Sequence, residues 1–216
     1  MTYLKNIDDL KPKGPFGIKK YPLVHIGNLS NPYFVTIGCS YTTGYGLDYK
    51  NTWSKKLGDY CNLEHINLGF SGSSLEYQYD KIKKLENILT DAKFVIWMQT
   101  YPHRSHRIYN FLIGDRYARI KYKKTNNDMS NWYKIEKYID LVKNKKILIT
   151  NCWGYDLNLR TLLKAKFAKR NKKFYFNDTK WIDYADDNQH PGVITNEVFA
   201  KNLYIYLKNN FINWLT

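Results

Sequence analysis

Tyr33-Phe34-Val35-Thr36-Ile37-Gly38-Cys39-Ser40-Tyr41-Thr42-Thr43-Gly44 decides the fold. Its first five residues are apolar or β-branched, too few for a helix, and they run into a glycine-bounded turn, so they read as a buried strand. Four similar runs lie further along: Glu64 to Leu68, weaker than the others, Phe94 to Met98, Lys146 to Thr150, and Phe174 to Phe176. Between and after them, apolar residues recur at helical spacing. Trp53, Leu57 and Tyr60 follow Asn51-Thr52, and Leu75, Tyr79, Ile82, Leu85 and Leu89 follow Ser73-Ser74. Trp132, Ile135, Ile139 and Val142 follow Ser130; Leu159, Leu162, Leu163 and Phe167 follow Asp156; a last helix runs from about Thr195 through Val198, Phe199, Leu203, Tyr206 and Leu207. Parallel strands need crossover connections, and a helix makes them compactly, so the alternation predicts an α/β fold with a parallel sheet covered on both faces.

The 216 residues suit one domain. We assign it residues 33–216, with residues 1–32 as an amino-terminal segment that either wraps the surface as an arm or is a partly ordered leader. Hydrophobic residues at 44% and charged residues at 25% are ordinary globular values, which argues against disorder. The formal net charge of +15 invites a nucleic-acid partner, yet the lysines are scattered over many segments, in a chain rich in Lys, Asn, Ile and Tyr throughout. Phosphate binding needs the charge on one face, so solvated lysines are the favoured reading over a nucleic-acid surface. Cys39, Cys61 and Cys152 are an odd number without paired spacing, which favours a reducing compartment and offers no metal cluster. Met1 to Asn6 has no apolar h-region and no run reaches membrane-span length, so neither a secretion signal nor a membrane partner is expected.

In open α/β sheets ligands bind beyond the carboxyl ends of the strands. Ser40 follows the first strand, Gly72 follows the second, Gln99 follows the third, and Asp187-Asn188-Gln189-His190-Pro191-Gly192 follows the fifth. All four should gather on one edge. A serine hydroxyl becomes a nucleophile when an imidazole takes its proton, and the imidazole works best when a carboxylate fixes its tautomer. Ser40, His190 and Asp187 supply those three groups, and Gly72 lets its backbone N–H approach an oxyanion. Taken alone, Ser40 reads first as an ordinary turn serine; Gly72 and the Asp187-x-x-His190 pair, following in order, turn the reading to a catalytic one. Asp186 is the alternative carboxylate, but the two-residue spacing to His190 favours Asp187. Cys39 is the rival nucleophile, and on an extended segment its side chain faces away from that of Ser40. His25, His65, His103 and His106 read as surface or packing residues.

These residues and their order resemble the SGNH, or GDSL, hydrolase family between about Tyr33 and His190. Gly38-Cys39-Ser40-Tyr41 is similar to its first block, Gly72 falls where the second block has its oxyanion glycine, and Asp187-x-x-His190 matches the fifth. The resemblance implies a three-layer α/β/α sandwich with a flavodoxin-like sheet of five parallel strands. It also implies serine esterase or deacylase chemistry through an acyl-enzyme, without metal or cofactor, with the Ser40 and Gly72 N–H groups as oxyanion donors. Two departures stand out: Cys39 replaces the usual Asp, and Gln99-Thr100 replaces Gly-x-Asn-Asp, whose Asn donates to the oxyanion. Gln99 can donate an equivalent N–H, or it merely closes the strand end. The form of the first and fifth blocks is also similar to SGNH-like proteins encoded by phages, which implies a cytoplasmic or virion-associated protein.

Residues 101–128 interrupt the alternation. Two alternating runs flank Gly114-Asp115, the pattern of a β-hairpin with a tight turn inserted after the third strand. Arg107, Arg116 and Arg119 on it, interleaved with Tyr109, Phe111, Tyr117 and Tyr122, would contact an acidic or glycan substrate if the hairpin walls the site; otherwise they solvate it. The expected partner is a small-molecule or glycan ester, and the family's substrates imply an O-acetylated carbohydrate. A catalytically silent SGNH-like binding or virion protein is the alternative, and a nucleic-acid-binding protein the third reading.

Overall fold

The computed structural model describes residues 25–26, 31–84, 86–101, 135–137, 139–142, 145–152 and 173–215. Its strands are β1 (His25–Ile26), β2 (Tyr33–Gly38), β3 (Glu64–Gly69), β4 (Val95–Gln99), β5 (Ile147–Asn151) and β6 (Phe174–Tyr175), arranged in the order β1-β3-β2-β4-β5-β6. β2 to β6 are all parallel, which is the five-stranded sheet expected from the sequence. β1, within the stretch read as an arm, adds an antiparallel edge strand through His25 opposite Asn67 and Ile26 opposite Ile66.

Six helices are named here: α1 (Ser40–Thr43), α2 (Trp53–Cys61), α3 (Leu75–Lys84), α4 (Glu86–Asp91), α5 (Val193–Asn210) and α6 (Ile212–Leu215). Residues 135–137 and 139–142 are also helical, with Ile135, Ile139 and Val142 buried as their spacing requires. α2 begins where Thr52 caps it, its hydroxyl accepting the Lys55 N–H at 3.3 Å, and it ends where Asn62 turns left-handed at φ 52°. Ser74 does the same for α3 through the Tyr77 N–H at 3.2 Å. The proposed helix over 156–167 and the hairpin over 101–128 lie outside the described residues, apart from Tyr101.

Register assigns the faces. Phe34, Thr36, His65 and Asn67 point to the side covered by α2, where Phe34 lies against Gly58 and Asn67 reaches Ser54. α5 covers the same side: Phe199 meets Trp53 edge-on at 5.2 Å and Tyr175 at 6.1 Å. Ile37 and Trp97, paired across β2 and β4, face α3, whose Gln78 accepts the Trp97 indole N–H at 2.8 Å. The result is a three-layer α/β/α sandwich. Its core includes Trp53, Trp97, Phe34, Phe94, Phe174 and Phe199, all fully buried, and side chains of this size contribute about 1.5–3 kcal/mol each by leaving water. His65 belongs to this packing. It stacks on Phe34 at 4.8 Å, and its two ring nitrogens meet Thr36 at 2.9 Å and Tyr49 at 3.0 Å.

Candidate active site

β2 lies between β3 and β4, so chain connections from the centre of the sheet leave in opposite directions there, and such a switch point opens a crevice at the carboxyl ends of the strands. Ser40 stands at that point. Cys39 is extended (φ −99°, ψ −154°) and fully buried, and the chain then turns into α1 with Ser40 as its first residue, 5% exposed. The turn is held tightly: the Cys39 carbonyl accepts the Thr42 and Thr43 N–H groups at 2.9 and 3.0 Å, and the Ser40 carbonyl accepts those of Gly44 and Tyr45 at 3.0 and 3.1 Å. The Ser40 N–H, at the first helical position, has no intrahelical acceptor.

Gly72 follows β3 at φ 76°, a left-handed conformation that favours glycine. The turn that carries it is tied to the end of β2 twice, by the Phe70 N–H at 2.9 Å and the Ser73 hydroxyl at 3.0 Å, both donated to the Gly38 carbonyl. Behind them a buried relay runs from Trp97 through Gln78 to Ser73, the last step being the Gln78 amide donating at 2.8 Å. Sequence reading placed Gly72 but not this support, because Gln78 looks like an exposed polar position on a helix whose apolar stripe is evident. Gln99 is buried at the end of β4, aligned with Asn151, and its carbonyl accepts the Cys152 N–H at 3.0 Å.

Asp187 and His190 meet directly. The imidazole Nδ1 lies 2.5 Å from Asp187 Oδ2, while Asp187 Oδ1 accepts the Gln189 and His190 N–H groups at 3.0 and 3.1 Å. Burial pulls the Asp187 carboxyl upward, but the Gln189 N–H, the His190 side chain and its charge, and the His190 N–H outweigh it and hold the group below the usual carboxylate range. Asp186 instead gives its backbone N–H to the Gly46 carbonyl at 3.2 Å, so Asp187 is the carboxylate that reaches the ring. The loop is closed by the Ala185 N–H donating to the His190 carbonyl at 2.9 Å and by a bridge between Tyr184 and Pro191. Asp183 anchors its far end on α5, accepting the Ile194 and Thr195 N–H groups at 2.8 Å each.

The loop rests on the chain just after Ser40. Gly46, at φ 80°, lies so close that a Cβ there would come within 3.3 Å of the Asp187 carboxylate and 2.9 Å of Ala185. The His190 ring sits between those of Tyr41 and Tyr45, with centroids 5.2 and 5.3 Å away. Trp181 meets the Tyr41 ring edge-on at 6.3 Å and Tyr184 at 5.4 Å, so aromatic side chains border the imidazole. The structure thus brings Ser40, Gly72, Gln99 and the Asp187–His190 pair to one edge of the sheet. Among the described residues no hydrogen bond joins the Ser40 hydroxyl to the imidazole. Arg107, Arg116 and Arg119 lie outside the described residues. No group of three or more His, Cys, Asp or Glu that could hold a metal ion occurs among the described residues, and none of their helices is long and apolar enough to cross a membrane.

Neither any protein-family model nor any curated protein matches this sequence. Solved structures do. Est24, a carbohydrate acetylesterase from Sinorhizobium meliloti, superposes with a TM-score of 0.57 at 14% identity, over 83% of this chain and 100% of its own. A protein assigned to the lipolytic G-D-S-L family, from Desulfitobacterium hafniense DCB-2, gives 0.53 at 15% identity, over 82% of this chain and 100% of its own. The acetyl xylan esterase Est2A from Butyrivibrio proteoclasticus gives 0.51 at 14% identity, over 85% of this chain and 65% of its own. The chain has the fold shared by the SGNH, or GDSL, lipolytic proteins and the carbohydrate acetylesterases.

Proposed function

We propose that this protein is a serine esterase that hydrolyses carboxylic esters through Ser40, His190 and Asp187. The observation that carries the proposal is the 2.5 Å pairing of Asp187 with His190 on a loop that packs against the Ser40 turn. Because Asp187 engages Nδ1, the neutral ring carries its proton there and leaves Nε2 as the base. Ser40 Oγ attacks the acyl carbon while Nε2 takes the hydroxyl proton. The imidazolium then returns that proton to the departing alcohol oxygen, leaving an acyl-serine. Water attacks this ester with Nε2 again accepting a proton, and Ser40 leaves as the restored hydroxyl with the carboxylic acid as product. The Ser40 and Gly72 N–H groups and the Gln99 side-chain amide serve as donors to the oxyanion.

The substrate we assign is an O-acylated carbohydrate, with acetyl as the acyl group. Two features support it: carbohydrate acetylesterases share this fold, and the rings of Tyr41 and Tyr45 lie beside the imidazole, with Trp181 against Tyr41 and Tyr184 against Trp181. Arg107, Arg116 and Arg119 would favour an anionic glycan. In an assay with a short-chain aryl ester, hydrolysis should vanish in Ser40→Ala and in His190→Ala while both variants keep the parent's circular dichroism. Undiminished hydrolysis by folded Ser40→Ala would remove the proposal.

A further inference from the structure

A nucleophile and its base, carried at opposite ends of a chain, need a fixed separation, because small misplacements of reacting groups are costly to rate. The Ser40 turn and the His190 loop have an unbroken hydrogen-bonded link that uses neither residue. The Tyr41 carbonyl, next to Ser40, accepts the Trp53 indole N–H at 3.0 Å. Trp53 opens α2, and its backbone N–H is donated to Asn196 Oδ1 at 3.0 Å. The same Asn196 side chain gives both hydrogens of Nδ2 to the other turn, one to the Pro191 carbonyl at 2.9 Å and one to that of Gly192 at 2.8 Å. Pro191 follows His190 directly.

Both members are built into the interior. Trp53 is fully buried and Asn196 is 1% exposed. Trp53 is further fixed edge-on against Phe199 at 5.2 Å. Asn is a poor residue inside a helix, and position 196 is in the first turns of α5 with an apolar stripe beneath it, so local preference and burial would both favour an aliphatic side chain there. A buried amide is tolerated where its groups are paired, and this one reaches three backbone groups on two other segments.

We propose that Asn196 and Trp53 are positioning residues that set the spacing of Ser40 and His190. The role rests on the esterase reading above, and three variants separate the two ideas. Trp53→Phe keeps an aromatic ring in the core but removes the indole N–H together with the volume of the second ring, so its midpoint is read beside its rates. Asn196→Asp keeps an acceptor for the Trp53 N–H but removes both donors to the His190 loop. Asn196→Ala removes the link altogether.

The measurements are kcat and KM for an aryl acetate well below the unfolding midpoint, the rate of Ser40 labelling by a fluorophosphonate, and the midpoint itself. Each variant should lose kcat and labelling rate by on the order of tenfold to a hundredfold, with Asn196→Ala the most affected. KM should stay within about twofold of the parent, since the link touches no substrate group. Variants with a lowered midpoint but parental kcat and labelling would overturn the inference and leave Asn196 and Trp53 as packing residues. If Asn196→Ala does not fold, Trp53→Phe carries the same test. Parental hydrolysis by Ser40→Ala in the same series would instead strike the esterase reading on which the inference rests.

Discussion

The Ser40 turn and the His190 loop reach the same edge of the sheet by different means. Ser40 is 5% exposed and its place follows from the central strand: β2 is buried along nearly its whole length, and the chain must turn where that strand ends. Its geometry belongs to the core. The His190 loop is only partly buried, with 17% of the histidine side chain and 20% of the aspartate's open to solvent, and it holds its shape by short-range bonds among Asp183, Ala185, Asp187 and His190. One half of the site is thus set by the sheet and the other by a local network, so the two should respond differently to substitution.

The largest expected difference lies in the loop. Asp187→Asn leaves the size of the side chain unchanged but offers Nδ1 an amide, which favours the tautomer with its proton on Nε2 and removes the base. Turnover should fall roughly 10⁴-fold, the scale seen for such a change in serine proteases, while the unfolding midpoint moves little. Parental turnover in Asp187→Asn would mean that the carboxylate only shapes the loop.

The sheet-borne half offers the next test. Gln99→Ala removes a buried amide at the end of β4. If that amide meets the oxyanion, kcat should drop by about 10²–10³ with KM nearly unchanged, because the charge it serves exists only around the transition state. An unaltered kcat would return Gln99 to closing the strand end.

A smaller effect should appear in stability, without loss of the site's chemistry. Asp183 accepts the first N–H groups of α5; burial raises its carboxyl, but the bonds from Ile194 and Thr195 prevail and hold it below the usual range. A carboxyl whose pKa is lower folded than unfolded stabilises the protein above its unfolded pKa and loses that contribution as pH falls through the folded one. Asp183→Ala should therefore cost about 1 kcal/mol at neutral pH, the usual worth of such a cap. The cost should shrink as the solution is acidified below the ordinary carboxylate range. Urea titrations at both pH values would measure it, and a cost independent of pH would show that the charge plays no part.

The same contrast explains what could be read from the sequence. All five parallel strands were legible because each is a short apolar run bounded by polar or glycine-containing turns, and buried parallel strands need little else. Asp187 and His190 were legible as a pair because only two residues separate them and their contact is local. β1 escaped because two residues, His25–Ile26, carry no period. α1 escaped because four residues after a strand look like any turn. The supports of the site were the hardest to see. Gln78 and Asn196 are polar residues buried on helices, and the period of apolar residues passes over them; the partners that the fold brings from elsewhere, Trp97 for one and Trp53 for the other, join the nearby Ser73 and Pro191 in giving them a reason to be inside.

The central claim is that the Ser40 hydroxyl is activated by His190, and fluorophosphonate labelling followed by mass mapping of the adduct tests it without a natural substrate. The account predicts one adduct, on Ser40, that is absent from His190→Ala. An unlabelled parent, an adduct on Cys39 or elsewhere, or equal labelling of His190→Ala would contradict it.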